Sequence, residues 1–318
     1  MGGIAVLFPG QASQAKGMGK ALAERYEEAA AIFEAADKAL GFSISDLCFA
    51  GEGRDLALTE NLQPAVLTVS AAAWKAVQTR TGLRPDFAAG HSLGEYSAYF
   101  AAGSIEFEQA VTLVRSRGRF MQEAVPEGMG GMAAVIGLDR PTVEKICAQV
   151  GGPEQVAAVN FNGGGQIAIS GLTEPLKRAS ALLKEAGAKR VIPLEVSAPF
   201  HSPLMAPARD RLVPLLSDIN FKPPAFPIVS NVDARPNKSI ERIQELLTRQ
   251  VTSPVLWEDT ILNLAAWGVD LLVEIGPGRV LSNLAKRMLD KVTILNVDDP
   301  DSLEKLKETL AQRRSATV

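Results

Sequence analysis

The sequence is poor in cysteine. Of 318 residues only Cys48 and Cys147 are cysteines, and they lie far apart in the chain. Two cysteines are too few for a disulfide scaffold, and without a CxxC pair the common zinc-binding spacings are absent. We therefore expect a reducing, cytoplasmic compartment and no structural metal.

Neither positive nor negative charge is in clear excess, and aromatic residues are few. The chain has 33 Lys and Arg against 36 Asp and Glu, which gives a net charge of −3, and aromatics make up 6%. A nucleic-acid-binding protein needs a basic surface or stacking rings, so this balance argues against one. The longest apolar stretch, residues 64–77, is short and contains Thr68, Ser70 and Lys75. It predicts no membrane span, and the N-terminus lacks the basic region of a signal peptide.

Short apolar runs alternate with amphipathic segments in the first part of the chain, which predicts an α/β sheet flanked by helices. The predicted strands here are residues 4–8 and 87–89, and the predicted helices are 20–40, 64–79, 93–102 and 106–124.

From about residue 128 the order changes to β-α-β-β-α-β, which is typical of a ferredoxin-like unit. Its strands are predicted at 132–136, 156–161, 166–170 and 190–196, with helices after Asp139, a favourable N-cap, and at 173–186. After Pro199 the α/β alternation resumes. The predicted fold is a large α/β-hydrolase-like domain, residues 1–127 and 197–318, with an inserted ferredoxin-like subdomain, residues 128–196.

A serine motif lies between a predicted strand and a predicted helix. Residues 90–94 (Gly-His-Ser-Leu-Gly) match G-x-S-x-G, in which a sharp turn presents the serine hydroxyl. Ser92 is thus a candidate nucleophile, and the Leu93 N–H could stabilise an oxyanion. The alternative is structural, because Ser92 and Glu95 also form the S-x-x-E pattern of a helix capping box.

A serine nucleophile needs a base, and the chain has only two histidines. His91 is adjacent to Ser92, so its side chain should leave the turn in another direction. His201, between Pro199 and Pro203 in a predicted loop, is the remaining candidate base; its alternative role is a hydrogen-bonded loop residue.

Arg117 lies on the apolar face of its predicted helix. At about 100° per residue, Ala110, Leu113, Val114, Phe120 and Met121 fall within roughly 60° of it. A buried guanidinium needs a partner, either a distant protein acid or a ligand carboxylate. If Ser92 shares its cleft, the ligand interpretation implies an acyl substrate that carries a carboxylate.

Taken in order, the motifs resemble the malonyl-CoA:acyl carrier protein transacylases over nearly the whole chain. They are residues 8–14 (Phe-Pro-Gly-Gln-Ala-Ser-Gln), 17–19 (Gly-Met-Gly), 90–96 (Gly-His-Ser-Leu-Gly-Glu-Tyr), Arg117, 199–202 (Pro-Phe-His-Ser) and 274–278 (Glu-Ile-Gly-Pro-Gly).

The resemblance implies a ping-pong transfer of malonyl from malonyl-CoA, through malonyl-Ser92, to the phosphopantetheine thiol of an acyl carrier protein. Coenzyme A is then a co-substrate, and neither a metal nor another cofactor is expected. The resemblance also assigns roles to residues: Ser92 nucleophile, His201 base, Arg117 carboxylate partner, Gln11 and Leu93 backbone oxyanion donors, Gln250 carbonyl orienting His201, and Gln63, Asn160 and Phe200 lining the acyl pocket.

Two further features bear on substrate and partner. Leu93 and Phe200 resemble members that prefer malonyl over methylmalonyl groups. An acidic carrier protein predicts a basic surface, for which the scattered candidates are Lys184, Lys189, Arg190, Lys286, Arg287 and Lys291. Residues 276–278 (Gly-Pro-Gly) precede a predicted helix and form either a phosphate site or a simple turn.

Three other functions remain open at this stage. A serine hydrolase would share Ser92 and His201 but would not need Arg117. A binding protein would use Ser92 only as a helix cap. A loading module of a larger synthase would share all of these residues, although a chain that starts at Met1 favours a free-standing enzyme.

Overall fold

A computed structural model of the chain describes residues 2–50, 54–196 and 198–315. Within these residues the strands are β1 (Gly3–Phe8), β2 (Phe87–Gly90), β3 (Gly130–Ile136), β4 (Val156–Gly163), β5 (Gln166–Leu172), β6 (Arg190–Pro193), β7 (Ile228–Val229), β8 (Pro236–Asn237), β9 (Val269–Ile275) and β10 (Thr293–Val297). The helices are α1 (Lys20–Arg25), α2 (Glu27–Leu40), α3 (Ile44–Ala50), α4 (Arg54–Ala57), α5 (Thr59–Thr81), α6 (Gly94–Ala101), α7 (Phe107–Glu123), α8 (Arg140–Val150), α9 (Thr173–Glu185), α10 (Ala206–Ser217), α11 (Ile240–Gln250), α12 (Trp257–Ala266), α13 (Val280–Ala285) and α14 (Pro300–Ser315).

The larger sheet is mainly parallel and has the order β10-β9-β1-β2-β7-β8, with only β7 and β8 antiparallel. Its central strand β1 is buried on both faces: Val6 and Phe8 belong to one apolar core, and Ala5 and Leu7 to another. A parallel strand covered on both faces needs apolar residues throughout, as β1 has. The carboxyl ends of β1 and β2 therefore lie side by side at one edge of the sheet.

The smaller sheet is antiparallel throughout and has the order β4-β5-β3-β6. Alternate residues of its strands face different surroundings, as the two-residue period of a strand requires. Ala133 and Val135 of β3 pack with α8 and α9 in a separate apolar core. Met132 and Ala134, on the other face of β3, line a cavity that also includes residues of the larger sheet's edge.

The α/β class is therefore confirmed, and most predicted elements lie within a few residues of observed ones. Asp139 caps α8 as predicted, its Oδ1 accepting from the Thr142 backbone N–H at 2.9 Å. No described helix is long and apolar enough to cross a membrane.

Two helix predictions were wrong in detail. The helix predicted at 20–40 is interrupted at Tyr26, which is extended (φ −129°, ψ 119°) and buries its ring under the guanidinium of Arg80. The helix predicted to start at Pro64 begins at Thr59, five residues earlier. Gly118 of α7 has no side chain, so the Thr59 carbonyl packs directly against it and holds this first turn in place despite the following proline.

Candidate active site

The serine turn joins the end of β2 to the start of α6. Ser92 has a left-handed backbone (φ 53°), which is uncommon for a residue with a side chain and is found where a fold holds a strained turn. Both flanking glycines are sterically required: a Cβ on Gly90 would overlap the backbone of Gly94, and a Cβ on Gly94 would overlap the Phe8 carbonyl oxygen. The turn therefore packs backbone to backbone against the end of β1.

Ser92 and His201 are brought into direct contact from loops 109 residues apart. The Ser92 Oγ donates to His201 Nε2 at 2.7 Å, and His201 Nδ1–H donates to the Gln250 carbonyl oxygen at 2.9 Å. That second bond fixes the tautomer in which Nε2 can accept a proton. His201 is also left-handed (φ 60°) and is 3% exposed. The capping-box alternative fails, because the Ser92 hydroxyl faces His201 instead of α6.

Arg117 reaches the same oxygen. Its Nη2 donates to Ser92 Oγ at 3.2 Å, while Nη1 donates to the Gln63 Oε1 at 2.6 Å. The side chain is 1% exposed and lies over the Tyr96 ring. Among the described residues no carboxylate lies within ion-pair distance of this guanidinium. Its partners are neutral oxygens, so the structural ion pair is not observed.

Three side chains that the sequence analysis did not assign support this arrangement. The Gln250 side chain, as well as its carbonyl, takes part: its Oε1 accepts from Arg117 Nη2 at 3.0 Å. Asn231 Oδ1 accepts from the Ser92 N–H at 2.7 Å, and Asn231 Nδ2 donates to the Gly90 carbonyl at 2.7 Å, so Asn231 clamps the turn. The Glu95 carboxylate bonds Gln250 and Asn231, not Ser92.

His91 is directed away from the reacting groups, as expected for a neighbour of Ser92. Its Nε2 lies 2.9 Å from Asn162 Oδ1 on β4, and its ring packs edge-on against Trp257. Burial lowers the pKa of His91. His91 thus connects the turn to the smaller sheet.

Ser92 opens into a cavity of about 550 Å³ between the two sheets. Gln11, Asn160, Phe200 and His201 line it as well. Gln63 is fully buried behind Arg117. The backbone N–H groups of Gln11 and Leu93 make no hydrogen bond with another described residue, so both can serve an oxygen of a bound molecule.

The charges around Ser92 are set by burial. Burial, followed by the positive charge of Arg117, lowers the pKa of His201 to about 3. Burial also lowers the pKa of Arg117, and it raises the pKa of Glu95 to about 7. His201 is therefore neutral at physiological pH, which is the form that can take a proton.

The glycine-proline-glycine segment is a turn. The Leu281 and Ser282 N–H groups at the start of α13 donate to the Glu274 carboxylate at 3.0 and 2.7 Å. Because a protein acid already occupies this helix end, the phosphate hypothesis was wrong.

Comparisons with known proteins agree over the full length. Residues 6–312 match the acyl transferase domain family. A malonyl CoA-acyl carrier protein transacylase of Bacillus subtilis (strain 168) is 46% identical over 315 residues, covering 98% of each chain. One of Salmonella typhimurium is 45% identical over 300 residues, which is 94% of this chain and 97% of that protein.

Solved structures of malonyltransferases are also similar to this chain over nearly its full length. An acyl-carrier-protein-S-malonyltransferase from Bartonella henselae superposes with a TM-score of 0.94 at 43% identity, covering 97% of this chain and 99% of that one. A malonyl-transacylase in complex with its type II PKS acyl-carrier protein also has a TM-score of 0.94, at 44% identity over 96% of this chain and 99% of that one.

The fold, the serine turn and these matches define an acyltransferase. Within that family, the chain belongs to the malonyl-CoA:acyl carrier protein transacylases, and the resemblance drawn from its motifs is confirmed.

Proposed function

We propose that the protein transfers a malonyl group from malonyl-CoA to the phosphopantetheine thiol of an acyl carrier protein, through a malonyl-Ser92 intermediate. The observation that carries this proposal is that one oxygen, Ser92 Oγ, contacts both His201 Nε2 at 2.7 Å and Arg117 Nη2 at 3.2 Å. A nucleophile, its base and a carboxylate-binding cation thus occupy a single site.

In the first half-reaction His201 Nε2 takes the Ser92 proton as the oxygen attacks the thioester carbon. The negative charge that develops on the carbonyl oxygen is stabilised by the N–H groups of Gln11 and Leu93. When this intermediate collapses, the carbon–sulfur bond breaks. The imidazolium of His201 returns its proton to the departing coenzyme A sulfur, leaving malonyl-Ser92.

In the second half-reaction the phosphopantetheine thiol is the nucleophile. His201 takes the thiol proton, the sulfur attacks the ester carbon, and the Ser92 oxygen leaves and regains the proton. The Gln250 carbonyl keeps the imidazole oriented in both halves, which a carboxylate does in other serine enzymes.

Arg117 binds the free carboxylate of the malonyl group. Its planar guanidinium suits two parallel hydrogen bonds to a carboxylate. The neutral side-chain oxygens of Gln63 and Gln250 accept hydrogen bonds from the guanidinium. Its positive charge is therefore not neutralised by them and is available to a substrate carboxylate. A serine hydrolase acting on uncharged acyl groups would have no use for a buried cation beside its nucleophile.

Phe200 and Leu93 support malonyl as the preferred group. Phe200 is 4% exposed and lines the cavity that contains Ser92. An α-methyl branch on the substrate would meet its ring, although one methyl group is worth only about 1–3 kcal/mol of discrimination. Asn160, also on the cavity wall, completes the proposed acyl pocket.

We extend the proposal to the fold. The sheet order β4-β5-β3-β6, antiparallel throughout, supports a ferredoxin-like subdomain at residues 128–196. The mainly parallel sheet with a serine turn after β2 supports an α/β-hydrolase-like domain at residues 1–127 and 197–318.

The expected partners are malonyl-CoA and a phosphopantetheinylated carrier protein, as the name of the carrier-protein complex suggests by analogy. Coenzyme A takes part as a substrate, and the proposed steps use no other cofactor and no metal. A cytoplasmic location remains a prediction from the cysteine content, and both cysteines are free and buried.

The test is to mix the protein with malonyl-CoA, record its intact mass, and then add a holo carrier protein. We expect a malonyl adduct on Ser92 that persists in water and disappears when the carrier protein is added. Ser92→Ala should form no adduct, whereas the control Ser97→Ala, which alters a buried serine in the following helix α6, should form it normally. Rapid loss of the adduct to water would indicate a hydrolase. Transfer by Ser92→Ala would indicate that Ser92 is only a structural residue.

A further inference from the structure

Glu95 is a buried acid that the transfer steps leave unused. It lies in α6, three residues after Ser92, and is 0% exposed. Its Oε2 accepts from Gln250 Nε2 at 2.7 Å and from the Asn231 backbone N–H at 3.2 Å. No described cation forms an ion pair with it. A buried acid is costly without a role, so its two partners indicate what it does.

The orientation of the Gln250 amide depends on this acid. Gln250 Nε2 donates to Glu95 Oε2 and to the Ser92 carbonyl at 2.9 Å, which uses both of its hydrogens. Its Oε1 is then left facing Arg117 Nη2 at 3.0 Å. If the amide were flipped, its NH₂ would face the guanidinium, and its oxygen would face a carboxylate and a carbonyl. The three contacts therefore allow one orientation only.

We propose that Glu95, as a carboxylate, is a positioning residue that acts through the Gln250 amide to hold Arg117 beside Ser92. The proposal rests on the carboxylate-binding role proposed for Arg117. A negative charge on Glu95 strengthens its bond from Gln250 Nε2 and polarises the amide, so Oε1 becomes a better acceptor for Arg117. Through the Asn231 N–H, Glu95 also supports the residue that clamps the serine turn.

Glu95 changes charge within the working pH range. Burial is the largest cause and raises its pKa to about 7, despite hydrogen bonds from Gln250, Asn231 and Ser230, which act to lower it. The other titratable or charged groups that act on this network are Tyr96 and Tyr99 on α6, Asp233 after β7, Arg117 on α7, Arg242 on α11, and His201. Burial keeps the tyrosines neutral and lowers the pKa values of His91 and His201, so Glu95 is the group among these that titrates near pH 7.

The first test is Glu95→Gln, which keeps the shape and the acceptor oxygen but removes the charge. Malonyl loading onto Ser92 is measured against malonyl-CoA concentration from pH 6 to 8. We expect the KM of the variant to be about tenfold higher at pH 8, since a charged hydrogen bond is roughly twice as strong as a neutral one. Malonyl loading of the wild type should rise between pH 6 and 8 as Glu95 ionises, and Glu95→Gln should not show this rise. Sulfonylation of Ser92 by phenylmethanesulfonyl fluoride, a probe without a carboxylate, should change less than about twofold.

The second test separates positioning from general support. In an Arg117→Ala background, Glu95→Gln should have no further effect on malonyl loading, because its route of action is gone. Gln250→Met removes the amide but keeps the length of the side chain, and it should reproduce the malonyl-specific loss. It replaces Glu95→Gln in this test if that variant folds poorly. A wild-type KM in Glu95→Gln, an equal loss of malonylation and sulfonylation, or additive effects with Arg117→Ala would overturn the proposal. If the wild-type protein itself forms no malonyl-Ser92, that result contradicts the proposed function. It is distinct from the three results above, which contradict the role of Glu95.

Stability gives an independent readout. The pKa of Glu95 is raised from its usual 4.5 to about 7 in the folded chain, so the free energy of unfolding falls as pH rises from about 4.5 to about 7, and the loss is complete above that. Glu95→Gln should therefore have a higher Tm than wild type at pH 8 and an equal Tm near pH 4.5. If Glu95 has a functional role, Glu95→Gln should be more stable than wild type at pH 8 but should load malonyl less well. A lower Tm of the variant at pH 8 would contradict this expectation.

Discussion

Arg117 Nη2 and Ser92 Oγ are hydrogen-bonded at 3.2 Å, on the oxygen that also faces His201. The guanidinium therefore affects the base as well as the substrate: it lowers the pKa of His201, second only to burial. A carboxylate brought to Arg117 supplies a nearby negative charge and opposes that effect. Binding of a malonyl group should thus make His201 a stronger base as it delivers the carbon to be attacked.

Arg117→Ala should reduce loading from malonyl-CoA by about 100-fold, since a hydrogen-bonded charge partner is worth ~3 kcal/mol. Loading from acetyl-CoA, which has no carboxylate, should not fall. Acyl-enzyme formation with the two thioesters, followed by mass spectrometry, provides the comparison.

Arg117→Lys is the matched control for that prediction. It keeps the positive charge but presents one ammonium where Arg117 presents a planar fork. Malonyl loading should lie between wild type and Arg117→Ala. Equal malonyl loading by all three proteins would show that Arg117 does not bind the substrate carboxylate.

The rate at which phenylmethanesulfonyl fluoride sulfonylates Ser92 in the wild type should stay constant from pH 8 to 5, because the pKa of His201 is about 3 and the imidazole remains neutral. In Arg117→Ala the pKa of His201 should rise towards 6.5, since one of the three causes of its lowering (burial, Arg117 and His91) is gone. The sulfonylation rate of that variant should begin to fall at a higher pH than in wild type. Coincident pH profiles would mean that burial alone sets the basicity of His201.

Phe200→Ser should increase loading from methylmalonyl-CoA relative to malonyl-CoA by roughly tenfold, which is the value of one methyl group in a tight pocket. The physical reason is the space freed beside Ser92. Phe200→Leu, a smaller change in volume, should move the same ratio less. The prediction fails if the ratio of initial loading rates is unchanged in both variants.

Gly94→Ala should destabilise the fold by at least ~3 kcal/mol, because the new Cβ overlaps the Phe8 carbonyl and neither backbone segment can move away. Gly131→Ala is the control: in β3 its Cβ would meet its nearest neighbour, Leu176 Cδ2, at an ordinary 3.4 Å. Urea unfolding of both variants tests the difference. Similar midpoints would show that the turn is less tightly packed than described.

Local patterns predicted the three side chains, Ser92, His201 and Arg117, that the structure brings into contact. The glycines around Ser92 mark a turn that only glycine permits, and the helical period exposes Arg117 as a charge on an apolar face. His201 followed by elimination, since the chain has one other histidine. The first two inferences need only a short window of sequence, and the third needs only a count of histidines, so none of them depends on knowing which distant residues meet in the fold.

The supporting side chains could not be predicted in this way. Glu95 and Gln250 are 155 residues apart, and Asn231 lies 139 residues from Ser92. The sequence offers Glu95 only as part of the alternative capping-box interpretation, which its spacing from Ser92 allows. The first turn of α5 was missed for a similar reason, since the contact with Gly118 that stabilises it is tertiary.

Strand β4 of the smaller sheet makes main-chain hydrogen bonds to the segment that joins α11 to α12. Val255 donates to the Val159 carbonyl at 2.8 Å and accepts from the Phe161 N–H at 3.0 Å. Val255 lies just beyond α11, whose last residue, Gln250, supports both His201 and Arg117. Asn160 and Asn162 of β4 line the cavity beside Ser92. One wall of that cavity and the residue that supports both His201 and Arg117 therefore share a hydrogen-bonded stretch of main chain.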